Sequence, residues 1–381
     1  MKLLVVEGAL RENGGMRMAL SLSNRWRRRG EEPSYFVLQK VADESEVRSA
    51  VPVTYGQPSV GRLRWSLPLV FARLLRASRR ADIVIGASET GFGLLLGLLA
   101  ARLVRRPFVV LVQAELQQSV ALWVPRRLQR LTLFVHRHVD AAICVSTELP
   151  PQVIANGLPP ERVHAIPNGI DAHRVAELAS LPSPVALQPP TVAGAGRLSR
   201  QKGFDLLIRA HAELQHSGVQ SQLVILGEGP EREALERLVQ SEDVTASVLL
   251  PGFVANPHAV VGRAAVYCMS SRFEGFPLSL LEALAAGTPV IATECISGPA
   301  EILDRGSFGE LVQPESVPAL VAALRRALLA APPTPEQRKR RFERAKDFDV
   351  DRAADAYLTL FAKLAPQRKS RLLRFRTSSR T

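Results

Sequence analysis

The 381 residues, 46% of them hydrophobic, suffice for two globular domains that each bury their own core. A net charge of +13 gathers in residues 1–180, with 24 Lys and Arg against 15 Asp and Glu, and in the tail "PQRKSRLLRFRTSSRT" (366–381), with six basic residues and no acid. This balance suits an anionic partner such as a membrane surface, with a solvated basic face as the plainer alternative; the basic stretches carry few stacking aromatics and match no nucleic-acid module, which sets nucleic acid aside.

The opening "MKLLVVEGAL" is too weak for a signal peptide and reads as a first strand. Further β-rich runs follow at "SYFVLQ" (34–39), "ADIVIGA" (81–87), "PFVVLVQ" (107–113) and "AAICVS" (141–146), separated by longer helix-patterned segments. The alternation predicts a parallel sheet with helices on both faces. The longest apolar run, "FGLLLGLLAA" (92–101), is about half the length that crosses a bilayer and predicts a buried helix. "PSPVALQPP" (182–190), with four prolines, breaks the pattern and reads as a linker. The alternation then resumes through "TVAGAGRL", "SQLVILGEG", "SVLLPGF", "AAVYCMSS" and "TPVIATE". The expected architecture is a domain over 1–180, a Pro-rich linker over 181–190, a second Rossmann-like domain over 191–349, a helix over 350–365 and the basic tail, with ligands in the cleft between the domains.

Cys144, Cys268 and Cys295 lie far apart, without metal-ligand spacing, so neither a disulfide framework nor a zinc site is expected and a reducing cytoplasm fits best. "AGAGRLSRQKGFDLL" (193–207) sets a strand, a Gly-rich turn and the cations Arg197 and Lys202 before a helix starting near Phe204. Such a helix start favours anions, and a diphosphate is the natural guest, although an ordinary strand-to-helix turn fits equally. Ser199 stands where a dinucleotide fingerprint needs its third glycine. "ILGEGPERE" (225–233) repeats the design, with a helix expected from Pro230.

"RFEGFPLSLLEALAAG" (272–287) holds two acids in an apolar stretch. Pro277 stops a helix from running back through Phe276, so Glu274 falls on a loop, while Ser279 and Glu282 share one face of a buried helix that ends at Gly287. An unpaired carboxylate there costs several kcal/mol, so each acid needs an Arg or a ligand hydroxyl. With the free N–H groups of Leu278 to Leu280 between them, the acids could grip two hydroxyl-bearing parts of one ligand around its phosphates; two salt-bridged structural acids are the alternative.

These pieces, in this order, resemble the retaining glycosyltransferases of family 4: "GGM" (14–16), "VHAIPNGID" (163–171), "GAGRLSRQKGFDLLIRA" (194–210), "LGEGPER" (226–232), "LPGFVANP" (250–257), "EGFPLSLLEALAAGTPVIAT" (274–293) and "SGPAEIL" (297–303). The first 160 residues match more loosely. The resemblance implies the GT-B fold, two Rossmann-like α/β domains whose parallel sheets face each other across a cleft, with residues 350–365 crossing back to the first domain. It implies transfer from a nucleotide diphosphate sugar, with UDP expected, to a glycan or lipid-linked acceptor of cell-surface polysaccharide or lipopolysaccharide. It further implies that Glu282 holds the ribose and Glu274 the donor sugar, while Arg197 and Lys202 hold the diphosphate with the backbone of Gly275, Phe276, Pro277, Leu278 and Ser279. Gly15 would approach the donor from the other side, and Glu228, Phe253 and Val254 would flank the base. No metal or other cofactor is expected.

Many relatives carry a histidine where this chain has Gln113, which can bond a sugar hydroxyl but carries no charge. His136, His138 and His164 read as structural. The basic tail and first domain suggest a peripheral position at the inner face of the cell membrane. Two rival readings are a nucleotide-sugar 2-epimerase, for which the cleft shows too few further acids and histidines, and a non-catalytic nucleotide-sugar or glycan-binding protein.

Overall fold

The computed structural model describes residues 1–10, 14–41, 51–57 and 63–365, so the basic tail lies outside the described residues. Seven parallel strands form the first sheet: β1 (Lys2–Glu7), β2 (Glu32–Gln39), β3 (Val53–Gln57), β4 (Ile83–Gly86), β5 (Phe108–Val112), β6 (Ala141–Cys144) and β7 (Val163–Ala165), in the order β3-β2-β1-β4-β5-β6-β7. The helices between them are α1 (Gly14–Arg28), α2 (Leu63–Arg80), α3 (Gly91–Leu103), α4 (Leu116–Trp123), α5 (Arg126–His136) and α6 (Pro150–Ala155). The strand runs are apolar throughout because both faces are covered. Leu3, Val5, Ile83 and Ile85 meet Trp26 of α1 in one core, while their alternates Leu4, Val6 and Val84 meet Leu74 and Leu98 in the other.

Next come α7 (Ala172–Ser180) and the second sheet: β8 (Thr191–Ala195), β9 (Gln222–Leu226), β10 (Val248–Gly252), β11 (Val266–Met269), β12 (Val290–Thr293) and β13 (Glu310–Val312), in the order β10-β9-β8-β11-β12-β13. Its helices are α8 (Phe204–His216), α9 (Arg232–Ser241), α10 (Pro257–Val261), α11 (Leu278–Ala285), α12 (Pro299–Ile302), α13 (Val317–Leu329) and α14 (Pro335–Lys346), followed by α15 (Val350–Leu364). All strand pairs in both sheets are parallel.

Several details differ from expectation. The short strands β3, β7 and β13 close sheet edges and have no long apolar run to announce them. The helix expected from Pro230 begins at Arg232, after a turn. Residues up to 180 were assigned to the first domain, yet α7 packs on α10, α11 and α14 of the second, because its apolar face (Ala172, Val175, Ala179) is buried there. The run 92–101 is only half interior: Leu94, Leu98 and Ala101 are buried, while Phe92 and Leu99 face outward. Among the described residues no helix is long and apolar enough to cross a membrane.

The crossing helix α15 starts at Asp349, whose carboxylate accepts the N–H groups of Asp351 and Arg352. Its buried face, Ala353, Ala354, Tyr357 and Phe361, packs on α1 of the first domain, where Tyr357 and Phe361 meet the ring of Trp26. Arg25 bridges Asp351 and Asp171, and Arg29 holds Asp351 and Asp355. The C-terminal edges of the two sheets thereby face each other.

Candidate functional site

The two edges meet directly. The backbone of Gly275, beyond β11, lies so close to Gln113, beyond β5, that a Cβ on Gly275 would stand 1.6 Å from the Gln113 carbonyl oxygen. Glu148, beyond β6, accepts the Gly298 N–H at 3.1 Å. Ser146 and Thr147 donate to Glu301 of α12 at 2.8 and 2.9 Å. These bonds span the cleft, so its walls come from the loops after the strands of both domains.

On the second domain's wall, β8 ends in the turn that carries Arg197 and Lys202. Gly203 closes this turn in the left-handed region (φ 62°), where a Cβ would sit 2.1 Å from the Ser270 carbonyl oxygen, so only glycine lets α8 start there. The Ser270 hydroxyl in turn donates to the Lys202 carbonyl at 3.0 Å. Lys202 Nζ lies 2.6 Å from Glu274 Oε1, which also accepts the Ser271 hydroxyl at 2.6 Å. Glu274 is 6% exposed, and the lysine is the counter-charge that so buried a carboxylate requires. Lys202 and Glu274, expected to act on different parts of a ligand, thus form an ion pair. Arg197 is exposed and pairs with no carboxylate among the described residues.

The Glu274 loop is tied from behind. Ser297, itself at φ 62°, donates its hydroxyl to the carbonyls of Glu274 and Gly275 at 3.2 and 2.8 Å, and Gln201 reaches the Phe273 carbonyl at 3.1 Å. Pro277 stands at the N-cap of α11, which begins at Leu278, and Phe276 is buried against Phe348. Proline has no capping side chain, so no side chain caps the first N–H groups of α11, and the Leu280 N–H turns back to the Pro277 carbonyl at 3.1 Å. Glu282 lies one turn further on, half-buried, and among the described residues no donor is hydrogen-bonded to its carboxylate. Burial pushes its carboxyl up to about 7, against the pull of Arg17 and Lys202. Ser279 lies on the same face, and the nearby Tyr267, whose pKa burial also raises, donates its hydroxyl to the Ala195 carbonyl at 3.3 Å.

Arg17 was not singled out in the sequence. It lies on the first turns of α1, on the opposite wall, beside Gly15, and its charge also reaches His258 of α10, whose imidazole is held below its usual value by burial and by that cation. A cation within the first turn of a helix is an unusual sequence signal, and its nearness to Glu282 and His258 became visible only in three dimensions. Glu228 is exposed and gripped through both oxygens by Arg232 at 2.7 and 2.9 Å. Phe253 is 65% exposed beside the half-buried Val254, both past β10 on the same edge.

The first domain adds two acids that the sequence reading did not count. Glu7 ends β1 and Glu89 follows β4, both at the edge that faces the cleft. Burial raises both carboxyls, Glu7 to about 7, with the nearby charge of Glu89 adding to the rise at Glu7. Glu89 accepts the Gln113 N–H at 3.0 Å, so the residue at the histidine position is held by its backbone. Behind it the buried His136 Nε2 lies 2.8 Å from the Glu89 carbonyl. His138 is exposed just after α5, and His164 lies on β7. The expectation of a cleft short of further acids is therefore corrected: strands apolar throughout draw the eye from the acids at and beyond their ends, and only the fold brings those ends together.

Two family models match the chain: "Glycosyl transferases group 1" over residues 182–348 and "Glycosyltransferase Family 4" over residues 13–174. Among curated relatives, an N-acetylgalactosamine-N,N'-diacetylbacillosaminyl-diphospho-undecaprenol 4-alpha-N-acetylgalactosaminyltransferase of Campylobacter jejuni is 32% identical over 52% of this chain and 53% of its own length. A lipopolysaccharide 1,6-galactosyltransferase of Salmonella typhimurium is 28% identical over 50% of this chain and 53% of its own. The chain spans about half the length of these relatives. Among solved structures, Anabaena HepE in complex with UDP and glucose superposes with a TM-score of 0.77 at 18% identity, over 96% of this chain and all of the other. The apo form of the lipopolysaccharide outer core galactosyltransferase WaaB gives 0.72 at 19% identity over 96% of this chain. The fold is thus the GT-B arrangement of two Rossmann-like domains.

Proposed function

The chain belongs to the group 1 glycosyl transferases, with a family 4 domain at its amino-terminal side, and from that premise we propose that it transfers a sugar from a UDP-sugar to a glycan or lipid-linked acceptor of cell-surface polysaccharide or lipopolysaccharide, with retention of configuration, working peripherally at the inner face of the membrane. The observation that carries this reading is the Lys202–Glu274 pair beside the N-terminus of α11, which no side chain caps, with the unbonded Glu282 one turn beyond. UDP is favoured by the neighbour solved with UDP and glucose, and a surface-glycan acceptor by the names of the relatives.

In this reading Glu282 accepts the ribose hydroxyls and Glu274 the hydroxyls of the donor sugar, so the acids are two clamps on either side of the diphosphate. Lys202 pairs with Glu274 and offers its remaining N–H groups to the diphosphate. Arg197 and the first amides of α11 stabilise the negative charge that grows on the leaving diphosphate as the anomeric C–O bond breaks, an effect worth a few kcal/mol per well-placed donor. Gly15 and Arg17 meet the donor from the opposite wall, Gln113 bonds a sugar hydroxyl, and Glu228, Phe253 and Val254 flank the base. The acceptor hydroxyl bonds to the anomeric carbon on the face the diphosphate leaves, and its proton passes to a leaving phosphate oxygen, so no protein base is consumed. The residues supply all the charge this reading requires, and no metal takes part in it.

The test is calorimetry or saturation-transfer NMR with UDP-, GDP- and ADP-sugars on the full chain and on Glu282→Ala. Binding of one UDP-sugar, lost in the variant, is the expected result; no binding by any of them, or binding that Glu282→Ala leaves intact, would overturn it.

A further inference from the structure

Of the large apolar side chains left in solvent, most lie on one side of the first domain. Leu122 and Trp123 end α4 at 55% and 64% exposure, and Leu131 and Phe134 on α5 stand at 46% and 54%. They are not the residue of an unfinished core. The elbow of α4 and α5 already fills an interior of its own with Leu116, Val120 and Val124, and Val135 and His136 face the domain. Along α5 the exposed positions Arg127, Arg130, Leu131, Phe134 and His138 recur at helical spacing, so cations and apolar groups share one outward face. From residue 116 to 139 there is no acid, and Arg126, Arg127 and Arg130 pair with no carboxylate among the described residues.

The neighbouring α3 packs on α5, where Arg102 bonds the His138 carbonyl, and it extends the patch with Phe92, Leu99 and Leu103. Arginine and aromatic side chains serve protein interfaces as well as membrane surfaces. A face whose arginines meet no acid over residues 116–139 and stand beside exposed Trp, Leu and Phe has the one-signed charge of the boundary layer of an anionic bilayer, where guanidinium groups meet lipid phosphates and aromatic rings enter just beneath. Its place in the fold agrees, since α4 begins three residues after Gln113, at the rim of the cleft.

We propose that the α4–α5 elbow, with the exposed side of α3, is the face by which this protein lies on an anionic bilayer, Trp123 and Phe134 entering the interfacial layer and the α5 arginines holding phosphates. Lying so, the protein opens its cleft at the membrane surface, where a lipid-linked acceptor would present its glycan. That last consequence rests on the glycosyltransferase reading, whereas the docking itself does not.

The experiment is flotation of the full chain with vesicles of phosphatidylglycerol and phosphatidylcholine, and with phosphatidylcholine alone. Tryptophan quenching by brominated lipid is measured in parallel, in a Trp65→Phe background that leaves the buried Trp26 and Trp123. Binding to the anionic vesicles with quenching is expected. The triple change Arg126→Gln, Arg127→Gln, Arg130→Gln should weaken partitioning on the order of a hundredfold. Trp123→Ser with Phe134→Ser should weaken it roughly tenfold or more and abolish quenching. Neutralising the six basic residues of the tail to Gln should leave the quenching in place. Thermal unfolding at the wild-type temperature verifies that each variant folds. Full vesicle binding by the Trp123→Ser, Phe134→Ser variant, or quenching that vanishes only with the tail charges, overturns the proposal. So does a concentration-dependent dimer in sedimentation that Trp123→Ser dissolves, which would give the face to a second copy. Nucleotide-sugar binding is measured separately, so its failure would remove the glycosyltransferase reading and leave the vesicle result standing.

Discussion

Glu282→Gln tests whether the half-buried acid of α11 works as a carboxylate. Burial holds its carboxyl up at about 7. If ribose hydroxyls are held by the ionised form, the fraction already ionised sets the apparent affinity. With a midpoint at about 7, roughly a tenth is ionised at pH 6 and roughly nine tenths at pH 8, so a UDP-sugar should bind about tenfold more tightly at pH 8. Glutamine has no charge to gain, so the variant should bind weakly and equally at both values. Stability should move the other way. An acid whose folded pKa lies above its unfolded one favours folding at low pH and destabilises progressively as the pH rises from 4.5 through about 7. The displacement from 4.5 to about 7 bounds that cost at about 3 kcal/mol, so Glu282→Gln should raise the melting temperature at pH 8 while it impairs binding. Calorimetry with UDP-glucose at both pH values, in buffers of different ionisation enthalpy, reads the affinity and the released proton. Glu7, which also titrates at about 7, is controlled by Glu7→Gln. Equal wild-type affinity at pH 6 and pH 8, or a pH dependence that survives in Glu282→Gln, would refute the reasoning.

Lys202→Met should cost about 3–5 kcal/mol in denaturant unfolding at pH 8, because Glu274 is left buried with only the Ser271 hydroxyl, and adding Glu274→Gln should restore most of it; no recovery in the double variant would mean that the lysine packs rather than pairs. Gly275→Ala should cut turnover at least tenfold and enlarge the radius of gyration in X-ray scattering, since its Cβ would overlap the Gln113 carbonyl, and an unchanged radius with full activity would show that the loop yields instead. Glu301→Ala removes two bonds across the cleft and should loosen the contact between its walls with a loss of roughly 1–2 kcal/mol, checked by scattering and thermal unfolding.

The alternation of short β-rich runs with helical segments was enough to establish two parallel sheets, because strands buried on both faces must be apolar throughout. The Phe276-Pro277 break was enough to separate Glu274 from Glu282, since proline forbids a helix through both. The sequence could not show what those acids touch. That Lys202 closes on Glu274 while Glu282 keeps no hydrogen-bond donor follows from the approach of the β8 turn to the β11 loop, and that approach depends on Gly203 fitting under Ser270. Arg17, Glu7 and Glu89 looked like ordinary charges near strand and helix ends until the fold turned those ends into one cleft. The apolar run of α3 was read as interior because composition records how much apolar surface a helix has, but not which side another helix covers. Local chemistry fixed the elements and their breaks, while the pairing of charges and the choice of exposed faces were settled by long-range packing.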